Sequence, residues 1–151
     1  LELSVLKPQG QPIENILISE NFSRFKMGNN TQDGYIDLAD NLDEYMQNIG
    51  WEGLKVFTSQ YGVKLGTTTT NGNLVTPILN LKKSNITIRF TAKNVVSDDG
   101  TIQFELLTQT GKSIEIMGSR INNVFNQCII NFENIEEKFV KIKIYHIFPI
   151  F

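Results

Sequence analysis

Residues able to do chemistry are sparse in this chain of 151 residues, which holds one histidine and one cysteine. Nucleophilic catalysis needs a nucleophile, a base and a group that orients the base. The histidine, His146, falls in register with Val140, Ile142, Ile144, Phe148 and Ile150. That row predicts the inward side of a strand, and a core histidine rather than a base. Cys128 is followed by Ile129 and Ile130, which predicts a buried, inert thiol. No Gly-x-Ser-x-Gly elbow occurs. One Cys and one His cannot build a tetrahedral zinc site. Glycoside hydrolysis needs two carboxylates about 5–9 Å apart. The acidic residues fall mostly in turns (Asp98, Asp99), on a helix-like segment (Asp40, Asp43, Glu44) and in the run from Glu133 to Glu137. They read as solvated surface charge. The expectation is a chain with no catalytic residues and no enzymatic activity. A glycoside-type hydrolase with a dispersed carboxylate pair is the minor alternative.

Aromatic side chains offer a different chemistry. A ring face covers the apolar face of a sugar while nearby polar groups fix its hydroxyls. The candidates are Trp51, Tyr45, Tyr61 and Tyr35. Trp51 stands in Gly50-Trp51-Glu52-Gly53, where flanking glycines let the backbone pack closely, so a core or loop-anchoring role competes with a binding one. Tyr61 lies in the polar turn Ser59-Gln60-Tyr61-Gly62 and is the better candidate for exposure, with Gln60 beside it.

Positioning such residues is within reach of a single domain. A chain of this length buries about 68–70% of its unfolded surface. Its 14 basic and 16 acidic residues leave a net charge of -2, which excludes the strong positive field that nucleic acids require. No stretch approaches the roughly 20 apolar residues of a membrane helix, so no membrane insertion is expected. The chain opens Leu1-Glu2-Leu3 without an initiator Met or a basic stretch, and reads as a trimmed or excised segment. Three Asn-x-Ser/Thr triplets, at Asn21, Asn29 and Asn85, are expected by chance in a chain this rich in Asn.

Period-two alternation dominates. Ile86, Ile88, Phe90 and Ala92 alternate with Thr87, Arg89 and Thr91; Ile102, Phe104 and Leu106 with Gln103 and Glu105; and Val140, Ile142 and Ile144 with Lys141 and Lys143. Ile114 and Ile116 continue the pattern. Each run predicts a strand with one buried and one wet face, as in antiparallel sheets. Asp98-Asp99-Gly100 and Thr110-Gly111-Lys112 read as hairpin turns, and Asn71-Gly72-Asn73 as a further turn. Residues 37–48 break the pattern, with apolar residues at 38, 39, 42, 45, 46 and 49. That spacing predicts a short helix inside a long loop, capped by Asp37 or Asp40. Thr67 to Thr70 read as a loop or strand edge. Residues 1–14, with Pro8, Gly10 and Pro12, read as a lead-in linker or first edge segment, and 15–151 as one β-sandwich domain.

Five segments in order carry a resemblance. They are Leu17 to Phe25 followed by Gly28; Gly50-Trp51-Glu52-Gly53 with Val56-Phe57; Gly62-Val63-Lys64-Leu65-Gly66; Gly72 to Leu81, containing Thr76-Pro77; and Ile86 to Lys93. The set resembles the jelly-roll modules, galactose-binding-like or adhesin-type, of secreted and cell-surface proteins of Bacteroidetes-type bacteria. It departs at Tyr145-His146-Ile147, where an acidic pair is usual, and at Asn21, where an acidic residue is usual. The resemblance implies an all-β fold, a two-sheet antiparallel sandwich of about eight strands. It also implies a secreted or cell-surface address, and carbohydrate binding or adhesion. A glycan is then the expected partner, together with other domains of a parent protein. No cofactor is expected beyond a structural calcium, for which Glu20 is the candidate ligand. The alternative is a structural or adhesive spacer that contacts protein.

Overall fold

The computed structural model describes residues 16–26, 36–67, 69–94 and 99–147. The lead-in segment 1–14, Gly28, Asn29, Tyr35, Asp98, Phe148 and Ile150 lie outside the described residues. Among the described residues, ten strands follow a short helical segment: β1 (Glu52–Leu54), β2 (Val56–Thr58), β3 (Val63–Leu65), β4 (Asn73–Val75), β5 (Leu79–Asn80), β6 (Ile86–Ala92), β7 (Gly100–Thr108), β8 (Ser113–Ile121), β9 (Asn126–Phe132) and β10 (Phe139–Ile147). All strand pairs are antiparallel. One sheet runs β1-β4-β10-β7-β8, with β5 also on β10. β2–β3 and β6–β9 form two separate two-stranded ribbons, and β6–β9 packs on the large sheet through Phe90 and Phe104.

Alternation explains the layering. Val140, Ile142, Ile144 and His146 on β10 stand beside Thr108, Leu106, Phe104 and Ile102 on β7, and apart from Thr108 all of these are buried. Ile86, Ile88 and Phe90 on β6 pair with Phe132, Ile130 and Cys128 on β9 and face the same core. Phe90 meets Phe104 across the layers with ring centroids 4.5 Å apart. A single hydrophobic cluster draws residues from Phe22 to Ile144. The fold is therefore the all-β, antiparallel sandwich that the alternation predicted. The strand order shown does not by itself make it a jelly roll.

Several local expectations need correction. Asp98-Asp99-Gly100 does not close a hairpin, because β6 pairs with β9 while β7 pairs with β8 and β10. Thr110-Gly111-Lys112 does close one: Gly111 has φ 94°, and Thr108 N–H donates to the Lys112 carbonyl at 2.8 Å. Ile114 and Ile116 are exposed, because β8 turns Met117 and Ile121 inward and a register shift at Leu106/Leu107 breaks the pairing phase. Cys128 is half-buried rather than buried, at the rim of the core.

The helix is present but minimal. A 3-10 turn over Ala39–Asn41 runs into α1 (Leu42–Tyr45), with Leu38, Leu42 and Met46 buried. Ile49 is 77% exposed and takes no part in that stripe. Asp37 Oδ1 accepts from Ala39 N–H at 3.1 Å, whereas Asp40 caps nothing. Gly72 lies where three backbone segments meet; a Cβ there would lie 2.6 Å from the Lys55 carbonyl oxygen and against Gly66 N. The Asn-Gly turn is thus a site of close backbone approach.

Candidate functional site

The sequence-predicted binding residues separate into two groups. Trp51 is 7% exposed and sits edge-on to Phe22, ring centroids 6.1 Å apart. Its indole N–H is buried without a hydrogen-bond partner. Tyr45 is half-buried against Phe25, centroids 5.2 Å apart. Both rings pack into the aromatic cluster with Phe22 and Phe25, Trp51 buried and Tyr45 half-buried at its edge. The glycines flanking Trp51 had pointed to this anchoring role.

Tyr61 and Gln60 lie elsewhere, in the β2–β3 turn. Ser59 builds that turn: its hydroxyl donates to the Gly62 carbonyl at 2.9 Å and accepts from the N–H groups of Tyr61 and Gly62. Tyr61 is half-buried and packs edge-on to Phe125 from the β8–β9 turn, centroids 5.3 Å apart. The Lys93 ammonium caps both rings, 3.8 Å from the Tyr61 centroid and 4.9 Å from that of Phe125. Three chain segments therefore meet at one end of the sandwich. Phe125 and Lys93 escaped sequence reading because neither stands in a motif. The only signal was their parity, which puts Lys93 outward from β6 and Phe125 outward from β9.

That parity extends the site along the ribbon. On the outer face of β6–β9, Thr87 pairs with Asn131, Arg89 with Ile129, and Thr91 with Gln127. One further step in the same register brings Lys93 to Phe125. Thr87 Oγ1 donates to Asn131 Oδ1 at 2.8 Å. Ile129 is exposed at the centre of the face. None of these positions carries a carboxylate; Glu133 lies beyond Asn131, at the end away from Lys93. The result is an open sheet face of hydroxyls, amides and two cations, bounded at one end by the Tyr61–Phe125 pair.

Glu20 does not behave as a surface carboxylate or as an open metal ligand. It is 1% exposed. Its oxygens accept from Gln47 N–H at 2.9 and 3.0 Å, and from Asn48 N–H and Nδ2 at 3.2 Å. These donors stand where a calcium ion would need oxygens. Among the described residues no group of three or more His, Cys, Asp and Glu could hold a metal. His146 is buried beside Asn94 and Gly100, and burial lowers its pKa below the usual imidazole value. The Asp37 carboxyl is also perturbed: partial burial pushes its pKa up, but the N–H groups of Val56, Ala39 and Lys55 and the Lys55 charge outweigh that and hold it low.

No protein-family model matches the chain, and no curated protein matches it. Among solved structures the chain is similar to the enzymatically active domain of tailspike protein 4 of bacteriophage CBA120, with 13% identity and a TM-score of 0.42. The match covers 64% of this chain and 15% of the tailspike chain.

Proposed function

We propose that this domain is a non-catalytic, carbohydrate-binding module of an exported bacterial protein. The observation that carries the proposal is the outer face of β6–β9. There, side-chain hydroxyls and amides stand in register beside exposed Ile129 and end on the Tyr61–Phe125 ring pair. Sugar recognition combines such donors and acceptors with an apolar or aromatic platform. An extended polysaccharide fits a flat sheet face better than a small metabolite does, since small ligands favour concave pockets. The buried carboxylate of Glu20 and the clamped carboxylate of Asp37 are spent on backbone donors, which favours binding over acid–base chemistry. The exported address rests on the resemblance to jelly-roll modules of secreted and cell-surface proteins. Titration calorimetry of the folded domain against a panel of host and plant polysaccharides tests the reading. Binding to at least one class, weakened by Tyr61→Ala, is expected. Silence across the panel would overturn it.

The structural or adhesive alternative draws on a different place. Ile49 and Ile78 are exposed on either side of the Gly50–Pro77 contact, next to edge strand β1. An apolar corner of that kind suits a neighbouring protein domain.

A further inference from the structure

We infer that the ligand of the β6–β9 face is an anionic polysaccharide, held through its carboxylate or sulfate groups by Arg89 and Lys93. The inference rests on the glycan-binding reading and adds the charge of the ligand and the two residues that select it.

Charge on the molecule is unevenly matched. On the large sheet, cations stand beside carboxylates. Lys141 Nζ lies 3.8 Å from Glu52 Oε1, Lys143 stands opposite Glu105, and Arg120 Nη2 meets Asp99 Oδ1 at 3.0 Å. On the β6–β9 face the two cations have no such counterpart. Neither Arg89 nor Lys93 takes part in an ion pair among the described residues. Their cross-strand neighbours are Ile129 and, one register step on, Phe125. A net charge of -2 for the whole chain makes this a local positive strip on an acidic protein.

The spacing suits a linear ligand. Arg89 on β6 and Lys93, one residue past its end, are four residues apart, so their backbones are roughly 13 Å apart along the ribbon. Both side chains leave the same face by parity. A guanidinium grips a carboxylate or sulfate through two parallel hydrogen bonds, while an ammonium offers a compact point charge. Lys93 is held over two rings, so its position is fixed before the ligand arrives. Between the cations, Thr91 and Gln127 can reach the hydroxyls of an intervening sugar. Two cations are too few for a nucleic-acid groove, which is recognised through many phosphate contacts. They are enough to choose a charged sugar over a neutral one.

The experiment compares three polymers on the folded domain: a polyuronate, the same polymer after carboxyl reduction, and a sulfated glycan. Calorimetric titration at low salt is expected to show binding of the polyuronate or the sulfated glycan. The carboxyl-reduced polymer should bind at least about tenfold more weakly, the loss of one charge-assisted contact. Arg89→Gln and Lys93→Gln should each produce a similar loss, and the double variant should bind charged and reduced polymers alike. Both side chains point outward from β6, so the variants' thermal midpoints report whether the fold is intact. Binding should also weaken between about 50 and 300 mM salt, as screening of exposed charges requires. Equal affinity for the uronate and its reduced form would overturn this inference and leave glycan binding standing. A single-stranded DNA that binds more tightly than either anionic glycan would also overturn it. Binding of no glycan at all would remove both readings.

Discussion

A carboxylate buried as completely as Glu20 must have its oxygens occupied by donors, and here they come from two consecutive backbone N–H groups and an Asn side chain. Its work is to tie the stretch before β1 to the segment ahead of a 3-10 turn at Ser23–Phe25. Glu20→Ala leaves the part-buried Gln47 and Asn48 N–H groups without their acceptor, and should cost about 1–3 kcal/mol. Urea denaturation read through Trp51 fluorescence checks the figure. Calcium added to the wild-type domain should leave the same midpoint unchanged, whereas a rise would restore the metal role expected from sequence. His146 makes a pH prediction. Burial lowers its folded-state pKa, so the neutral imidazole is the form that the fold accepts. Stability from this group is fully present above the unfolded value of about 6.5. It declines as pH falls below that value, until the lower folded pKa is reached. Denaturation midpoints at pH 8 and pH 5.5 should differ for the wild type, and His146→Phe should remove this group's share of the difference.

At the scale of elements, the connection between β1 and β2 shows how local strain is stabilised. Lys55 adopts φ 52°, a conformation few non-glycine residues tolerate. Asp37 holds it by accepting from Lys55 N–H at 3.1 Å and Val56 N–H at 3.0 Å. Asp37→Ala should therefore destabilise the domain by about 1–3 kcal/mol. Because the folded pKa of Asp37 is lowered, its contribution is present above the unfolded carboxyl value and lost as pH falls through the folded one. The variant should show a flatter acid limb in a pH series of thermal midpoints. Gly72→Ala should be at least as damaging, by about 3 kcal/mol, because the new Cβ meets backbone atoms that cannot swing aside. The period-two runs made β6, β7 and β10 legible from sequence, since each buries one face. β8 was legible only as a strand: it is an edge, its face toward the core is short, and its exposed Ile114 and Ile116 mimic a buried row. The mistaken hairpin at Asp98-Asp99-Gly100 has a simple cause. Turn residues specify a reversal but not which layer receives the next strand.

Over the whole molecule, strand pairing decides which polar residues share a surface. Tyr61 and Gln60 could be picked from sequence because they stand in a polar turn, where both remain half-buried rather than fully covered. Phe125, Lys93 and Arg89 could not, because their proximity depends on pairing a strand at residue 86 with one ending at 132 and on a third segment folding against both. Trp51 and Tyr45, equally aromatic, pack instead against Phe22 and Phe25, Trp51 in the interior and Tyr45 half-buried at its edge. The direct test of the central claim is therefore a map of where the ligand lands. Backbone amide NMR shifts should be followed during titration with the tightest-binding polysaccharide. The account predicts that the largest changes cluster in residues 87–93 and 125–131 and around Tyr61, with Ile49, Leu54 and Ile78 unmoved. Changes centred on the Ile49–Ile78 corner, with the β6–β9 face silent, would contradict it.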